Sequence, residues 1–281
     1  MNKDKMIFII KKIINKLISI KEEDRINWCK TIFANLIFVG FKDTMKLPIL
    51  IYGSCKFRNV SGGIEFKQPI ERGLLKIGLS DPLRARYSKS YLIIKGKIIV
   101  EGRAILKKGI MMEINRGELH LGNNAHIGEN CTVISEEKIR VGEGARVAHN
   151  SILMDCDLHF VVNTADGSVK PNIKPIDIGD YSWLGGYSVV KKGSVIPKGT
   201  IVAGPYSMLS KDYSNIIPEY SIIAGAPAKL IKTGVRKIFS IQNEKMLYGY
   251  FKESQGAEYL YNDIDNLDRL CLEEDDYLTQ I

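Results

Sequence analysis

From residue 98 to 232 an aliphatic side chain returns at every sixth position, often followed by Gly, with a small residue four places on. From Leu121 the chain reads LGNNAH, IGENCT, V; from Val141, VGEGAR, VAHNSI, L; from Ile178, IGDYSW, LGGYSV, VKKGSV, IPKGTI, VAGPYS, M. A helix would bring apolar residues back at three, four and seven, and a half-buried strand at every second position. A period of six fits a coil with three short flat faces, each pointing one aliphatic side chain at the axis. About 18 residues then close one coil, and stacked coils pair strand on strand around a continuous core. Gly in the second place suits a sharp corner. Ala, Ser or Thr in the fifth place suits a narrow interior. A β-sandwich would space its strands and turns by about 8–12 residues, which the five consecutive hexapeptides from 178 to 207 do not do. The expected fold class is mainly β, a parallel β-helix of hexapeptide repeats with helical N- and C-terminal segments.

The rest of the chain divides around that beat. Residues 1–97 read as helical to about 48 and strand-rich after it, with SGGIEF (61–66) and LKIGLS (75–80) as candidate first coils. Residues 98–232 are the β-helix domain, interrupted by a loop over 154–175. Residues 233–281 form a polar tail with helical character over 242–271, and such terminal segments cap the open ends of a solenoid. Residues 6–20, MIFIIKKIINKLISI, read as an amphipathic helix with Lys on one side. Packing on the core or a partner chain is the ordinary account of it, and a weak contact with an anionic membrane surface is the alternative. The apolar stretches fall short of the roughly 20 residues of a membrane span, and no secretory signal pattern stands out. The five Cys are scattered and form no CxxC. They read as reduced thiols of a cytoplasmic protein, with Cys131 and Cys156 as small core residues.

The chain carries a formal charge of +8, unevenly spread. Residues 1–60 hold 12 basic and 5 acidic side chains, whereas residues 241–281 hold 3 basic and 10 acidic. No base-reading motif or aromatic RNA platform accompanies the charge, so nucleic acid is not the expected partner. A small polyanion is a better fit. Phosphate loops and dinucleotide-binding glycine patterns are absent from the sequence.

The long break in the beat reads LMDCDLHFVVNTADGSVKPNIKPI, from Leu153 to Ile176. A long loop on a rigid scaffold is a common seat of function. It carries Asp155, Asp157 and His159, which would share one face of an extended segment.

Three stretches give the chain a family resemblance: DxDxHF at 155–160, IGDYSWLGG at 178–186 and IIAGAPAKLIK at 222–232. With the repeats, they make residues 100–232 resemble the hexapeptide-repeat acyltransferases, above all the sugar O-acetyltransferases of polysaccharide gene clusters. The resemblance implies a left-handed coil, acetyl-CoA as co-substrate and no metal. It implies a saccharide or sugar-nucleotide acceptor and a homotrimer with sites between neighbouring chains. His159 matches the family's catalytic base, which would take the proton from a sugar hydroxyl. Asp157 is the first candidate to orient its imidazole. Asp155 is the alternative, or else a contact for the acceptor. His149 is a candidate for the acceptor pocket, or simply a corner residue. On the donor side, Trp183, Gly185, Gly186, Ala203, Gly204 and Ser207 would line a groove for the coenzyme, and Lys229 and Lys232 would meet its phosphates. Arg236 is a weaker candidate. Three further readings stay open: an N-acyltransferase on an amino sugar nucleotide, a transferase of a longer acyl chain, and a scaffold without catalysis. His120, His126 and His149 lack the spacing of a three-His zinc site.

Overall fold

The structure is a computed structural model that describes residues 25–80, 88–254 and 258–272. It divides into two compact units, Met1–Thr233 and Gly234–Ile281.

Among the described residues the first unit holds three sheets of nine, seven and six strands, here sheets I, II and III. Up to Met208–Leu209 successive strands of the chain join successive sheets, so each strand pairs with the third one after it; beyond that, Ile222–Ala224 pairs directly with Ile201–Val202. The pairings are parallel, except where Lys229–Lys232 turns back antiparallel on Ile222–Ala224. This is the three-faced coil that the period of six requires. One coil is 18 residues long between the paired Trp183 and Ile201, but 21 between Ile105 and His126 and 20 between His126 and Arg146. The coil begins at Ile49, so residues 49–97 belong to the stack as well. Strands such as Cys55–Asn59 and Ser90–Ile94 lack the aliphatic-Gly step, which hides them from a search for the beat.

Each place in the hexapeptide has its own physical duty. The first-place aliphatics Leu121, Ile127, Val141, Val147, Ile178, Leu184, Val190, Ile196 and Val202 are buried and form the core column. The corner turns at the fourth place, not the second. Asn124, Asn130, Gly144, Asn150, Tyr181, Tyr187, Gly193 and Gly199 all have positive φ, where Gly and Asn are tolerated and a bulky side chain is strained. Gly in the second place serves close stacking instead. A Cβ on Gly122 would lie 2.4 Å from the Glu143 amide nitrogen, and one on Gly179 would lie 2.6 Å from the Ile196 carbonyl oxygen. Small fifth-place residues are fully buried, and their hydroxyls satisfy the corner carbonyls. Ser188 donates to Gly185 O, Ser194 to Lys191 O and Thr200 to Pro197 O, each at 2.7 Å.

Helix Trp28–Phe38 covers the open edge of sheet I. Thr31 and Asn35 stand in for a missing strand there: the Ile51 amide donates to Thr31 Oγ1 at 3.0 Å, and the Ile49 amide donates to Asn35 Oδ1 at 3.1 Å. In the second unit Ser240 caps helix Ile241–Glu253, Phe239 N donates to Cys271 O at 2.7 Å, and Arg236 pairs with Asp268. Helix Leu267–Leu272 overlaps the end of the span read as helical, but 258–263 between the two helices is irregular. Residues 6–20 lie outside the described residues. No helix of the described residues is long and apolar enough to cross a membrane. The five cysteines are free thiols, Cys29 exposed and the others buried. Burial pushes the Cys131 thiol up to about 12.

Candidate active site

The break in the beat forms an arm at the corner between sheets II and III. The chain leaves strand Ile152–Met154 and runs out and back as an antiparallel pair, with bridges Cys156 to Ile173 and Val162 to Val169. Asn172 ties its two legs, donating its side chain to Asp157 O at 2.8 Å while its carbonyl accepts the Asp157 amide at 2.7 Å. Asn163 and Asp166 close the tip, accepting from the amides of Ala165 and Ser168.

The alternation from 155 to 159 does not put all three polar residues to one use. Asp155 is fully buried. Its carboxylate accepts from Ser135 Oγ at 2.9 Å and from the amides of Glu136 and Glu137 at 2.8 and 2.9 Å. It caps the same corner one coil earlier, so the expected contact with an acceptor is not available to it. Asp157 is half-exposed, and its carboxylate lies 2.7 Å from Lys192 Nζ and 3.6 Å from Lys191 Nζ. The hydrogen bond from Lys192 is the main reason its pKa falls below the ordinary carboxylate value. It is not hydrogen-bonded to His159. His159 is exposed and has no hydrogen-bond partner among the described residues. Both residues line a cleft of about 370 Å³, together with Asn163, Ser168, Lys170, Asn172 and Lys192. The lysines were not singled out from sequence. The signal was available, because the KK of VKKGSV falls one coil after DCDLH and Met154 pairs with Lys191.

The donor-side candidates lie across sheet I and its corner with sheet II. Trp183 pairs with Ile201, Ile201 with Ile222, and Ile222 with Lys232. Two residues further along the strands, Gly185, Ala203 and Ala224 continue the same ladder, and Ala224 pairs with Lys229. The result is a wall of small residues flanked by a half-exposed Trp183 and ending at two exposed lysines. Neither lysine has a partner among the described residues. Gly204, with φ +78°, is exposed at the corner with open space where a Cβ would stand. Gly185 and Gly186 also have packing reasons to be Gly. A Cβ on Gly185 would lie 2.8 Å from Val202 O, and one on Gly186 would lie 2.8 Å from the His149 ring.

Two expectations change here. Ser207 is buried, donates to Ala203 O at 2.9 Å and accepts from Gly225 N at 3.0 Å. It is sixth from Val202, but it stacks on the fifth-place Ser188 because this repeat is one residue longer, and it closes a corner with its hydroxyl not presented to a ligand. His149 sits at the corner of sheets I and II, edge-on to Tyr187 with ring centroids 5.5 Å apart, and Tyr187 meets Tyr206 at 5.5 Å. It belongs with the wall and does not line the His159 cleft. None of the wall residues lines that cleft either. The arm and the wall therefore occupy different corners of one prism.

The remaining histidines are on different sheets. His120 lies 2.8 Å from Glu118 on sheet III. His126 faces outward on sheet I, where its Nε2 is buried without a hydrogen bond. Burial above all, then Arg146, Lys107 and Lys76, holds its pKa well below the ordinary value. No group of three His, Cys, Asp or Glu side chains among the described residues could hold a metal ion.

No family model matches the chain. It is 29% identical over 126 residues to WbbJ of Escherichia coli K12, named for lipopolysaccharide biosynthesis O-acetyl transfer, covering 42% of this chain and 61% of WbbJ. It is 26% identical over 135 residues to the galactoside O-acetyltransferase of the same organism, covering 48% of this chain and 60% of that protein. The matches thus span about three fifths of the length of these curated relatives. Among solved structures, the polysialic-acid-specific acetyltransferase NeuO aligns over 76% of this chain and 91% of its own, with 18% identity and a TM-score of 0.41. By its repeat, its corner pattern and its curated matches, the chain is similar to the hexapeptide-repeat acyltransferases.

Proposed function

We propose that this chain is an acetyl-CoA-dependent O-acetyltransferase that acts on a saccharide hydroxyl, with His159 as general base. The observation that carries the reading is the setting of His159. It stands exposed and unpartnered at a cleft whose amide, hydroxyl and ammonium groups suit sugar hydroxyls. The imidazole takes the proton of the acceptor hydroxyl as its oxygen attacks the thioester carbonyl. Collapse of the tetrahedral intermediate breaks the C–S bond, and the imidazolium returns its proton to the departing thiolate. Asp157, gripped by Lys192, fixes the root of the arm that carries His159. The wall of Gly185, Ala203 and Ala224 suits a pantetheine arm, and Lys229 and Lys232 suit the coenzyme phosphates. The similarity to sugar O-acetyltransferases supports the same reading.

The separation of arm and wall within one chain supports a composite site, in which the arm of one copy faces the wall of the next. The outward row of sheet II is suited to joining copies in a closed trimer: Tyr91, Met111 and Ile152 are exposed there and follow one another in register through Thr132. The free thiols fit a reducing, cytoplasmic setting.

The test is free-thiol release from acetyl-CoA with a panel of sugars and nucleotide sugars. Release should depend on one acceptor class and fall by at least about 100-fold in His159→Ala, with coenzyme binding intact. Unchanged turnover in that variant would remove His159 from the chemistry.

A further inference from the structure

Helix Trp28–Phe38 is amphipathic in the reverse of the usual sense. A surface helix normally buries its apolar stripe and shows its polar one. Here the buried residues are Thr31, Ala34 and Asn35, which cap the sheet edge. The apolar residues point outward: Trp28, Ile32 and Leu36 form one row at a spacing of four, and Phe33 and Ile37 form the next. Each of these five is between 42% and 50% exposed. The surface continues into helix Phe41–Thr44 and beyond, where Phe41 is 88% and Met45 86% exposed. Seven large apolar side chains in one exposed patch are more than a soluble surface carries without a partner.

The surroundings of the patch choose the partner. Arg25, Lys42, Lys46 and Arg72 are exposed around it. The Arg72 guanidinium lies 5.9 Å from the Trp28 ring centre, and Lys30 Nζ lies 5.8 Å from that of Phe57, whose ring packs on Phe33. Within helix Phe41–Thr44 the acidic side chain is Asp43, held by Lys46 at 2.8 Å. A second copy docked face to face would set this basic rim against itself. An anionic bilayer offers headgroup charge to the rim, acyl chains to the aliphatic rows, and the interfacial position that Trp favours. Residues 6–20 repeat the composition, apolar with interspersed Lys, just ahead of the helix in the chain.

We infer that helix Trp28–Phe38, with Phe41 and Met45, is a docking face for an anionic lipid surface. It would hold the protein peripherally at a membrane, beside lipid-borne substrates, and it does not depend on the transfer chemistry.

The test uses the full chain with vesicles of phosphatidylcholine alone or mixed with phosphatidylglycerol. Sedimentation should show about tenfold or greater preference for the anionic vesicles, reduced by salt. In a Trp183→Phe background the emission of Trp28 should shift to the blue on binding. Ile32→Ser with Leu36→Ser, at exposed positions, should cut the bound fraction by about tenfold at an unchanged melting temperature. Absence of vesicle binding would overturn the inference. So would undiminished binding by the double variant, which would assign the contact to residues 1–24. A double variant that melts earlier while still binding vesicles would show that the chain covers this face itself. Concentration-dependent association abolished by the same substitutions, without vesicle binding, would assign the face to a second copy.

Discussion

Replacing Asp155 by Ala separates a structural role from a catalytic one at the root of the arm. Its carboxylate accepts three hydrogen bonds, from Ser135 Oγ and the amides of Glu136 and Glu137. Removing it does not orphan all three donors equally. Ser135 Oγ keeps a second acceptor, Glu118 O at 3.2 Å. The two amides lose their side-chain acceptor at a part-buried corner. At about 1.5 kcal/mol for each of the two amides, the lower end of the range for bonds to a charged group, the substitution costs about 3 kcal/mol. For a unit of this size that lowers the melting temperature by about 6–12 °C. Circular dichroism would follow the melt, and thiol release would be read well below it. The expected result is an earlier melt with the acceptor KM little changed. A wild-type melt with a raised acceptor KM would refute the structural assignment and return Asp155 to the acceptor site.

Other predictions follow from the charged and buried groups. His126 is kept neutral by burial, whereas the same side chain in the unfolded chain protonates below a pH of about 6.5. The unfolded state then binds more protons, so stability present above that pH is lost as pH falls, by about 1.4 kcal/mol per unit. Denaturant melts at stepped pH should show this slope in the wild type and a flatter one in His126→Phe; equal slopes would dismiss His126 as the cause. Lys229→Ala with Lys232→Ala should weaken acetyl-CoA binding by about tenfold with kcat nearly unchanged, and the difference should shrink at high salt. Calorimetry showing equal affinity would take the lysines out of the donor site.

Much of the coil was legible because its constraint is local and periodic. Leu184, Val190, Ile196 and Val202 each face one axis, so their spacing reports the fold directly. Between Ile49 and Val100 only SGGIEF and LKIGLS were legible as candidate coils, because strands such as Cys55–Asn59 and Ser90–Ile94 do not repeat the Gly step. The turn at the fourth place was also hidden, since Asn, Gly and Tyr share a backbone conformation there and little else. The site was legible as a segment but not as a set of contacts. His159 emerged from its motif. The fates of Asp155 and Asp157 depend on Ser135 and Lys192, which reach them from neighbouring coils. Ser207 matched a motif position, but in this chain it also stacks on the fifth-place Ser188, and the interior claims it. Sequence order placed His149 near the arm, whereas the coil carries it to the opposite end of its strand.

The central claim is that the arm of one copy works against the wall of another. Two variants test it directly: His159→Ala, which disables the arm, and Ala203→Trp, which fills the wall. Each alone should release thiol at about a hundredth of the wild-type rate or less in the presence of the acceptor. Refolded together in equal amounts as closed trimers, they should recover about a quarter of wild-type turnover, because a random mixture pairs an intact arm with an intact wall at one junction in four. No recovery from a mixture shown to contain mixed trimers would contradict the account and place the whole site within a single chain.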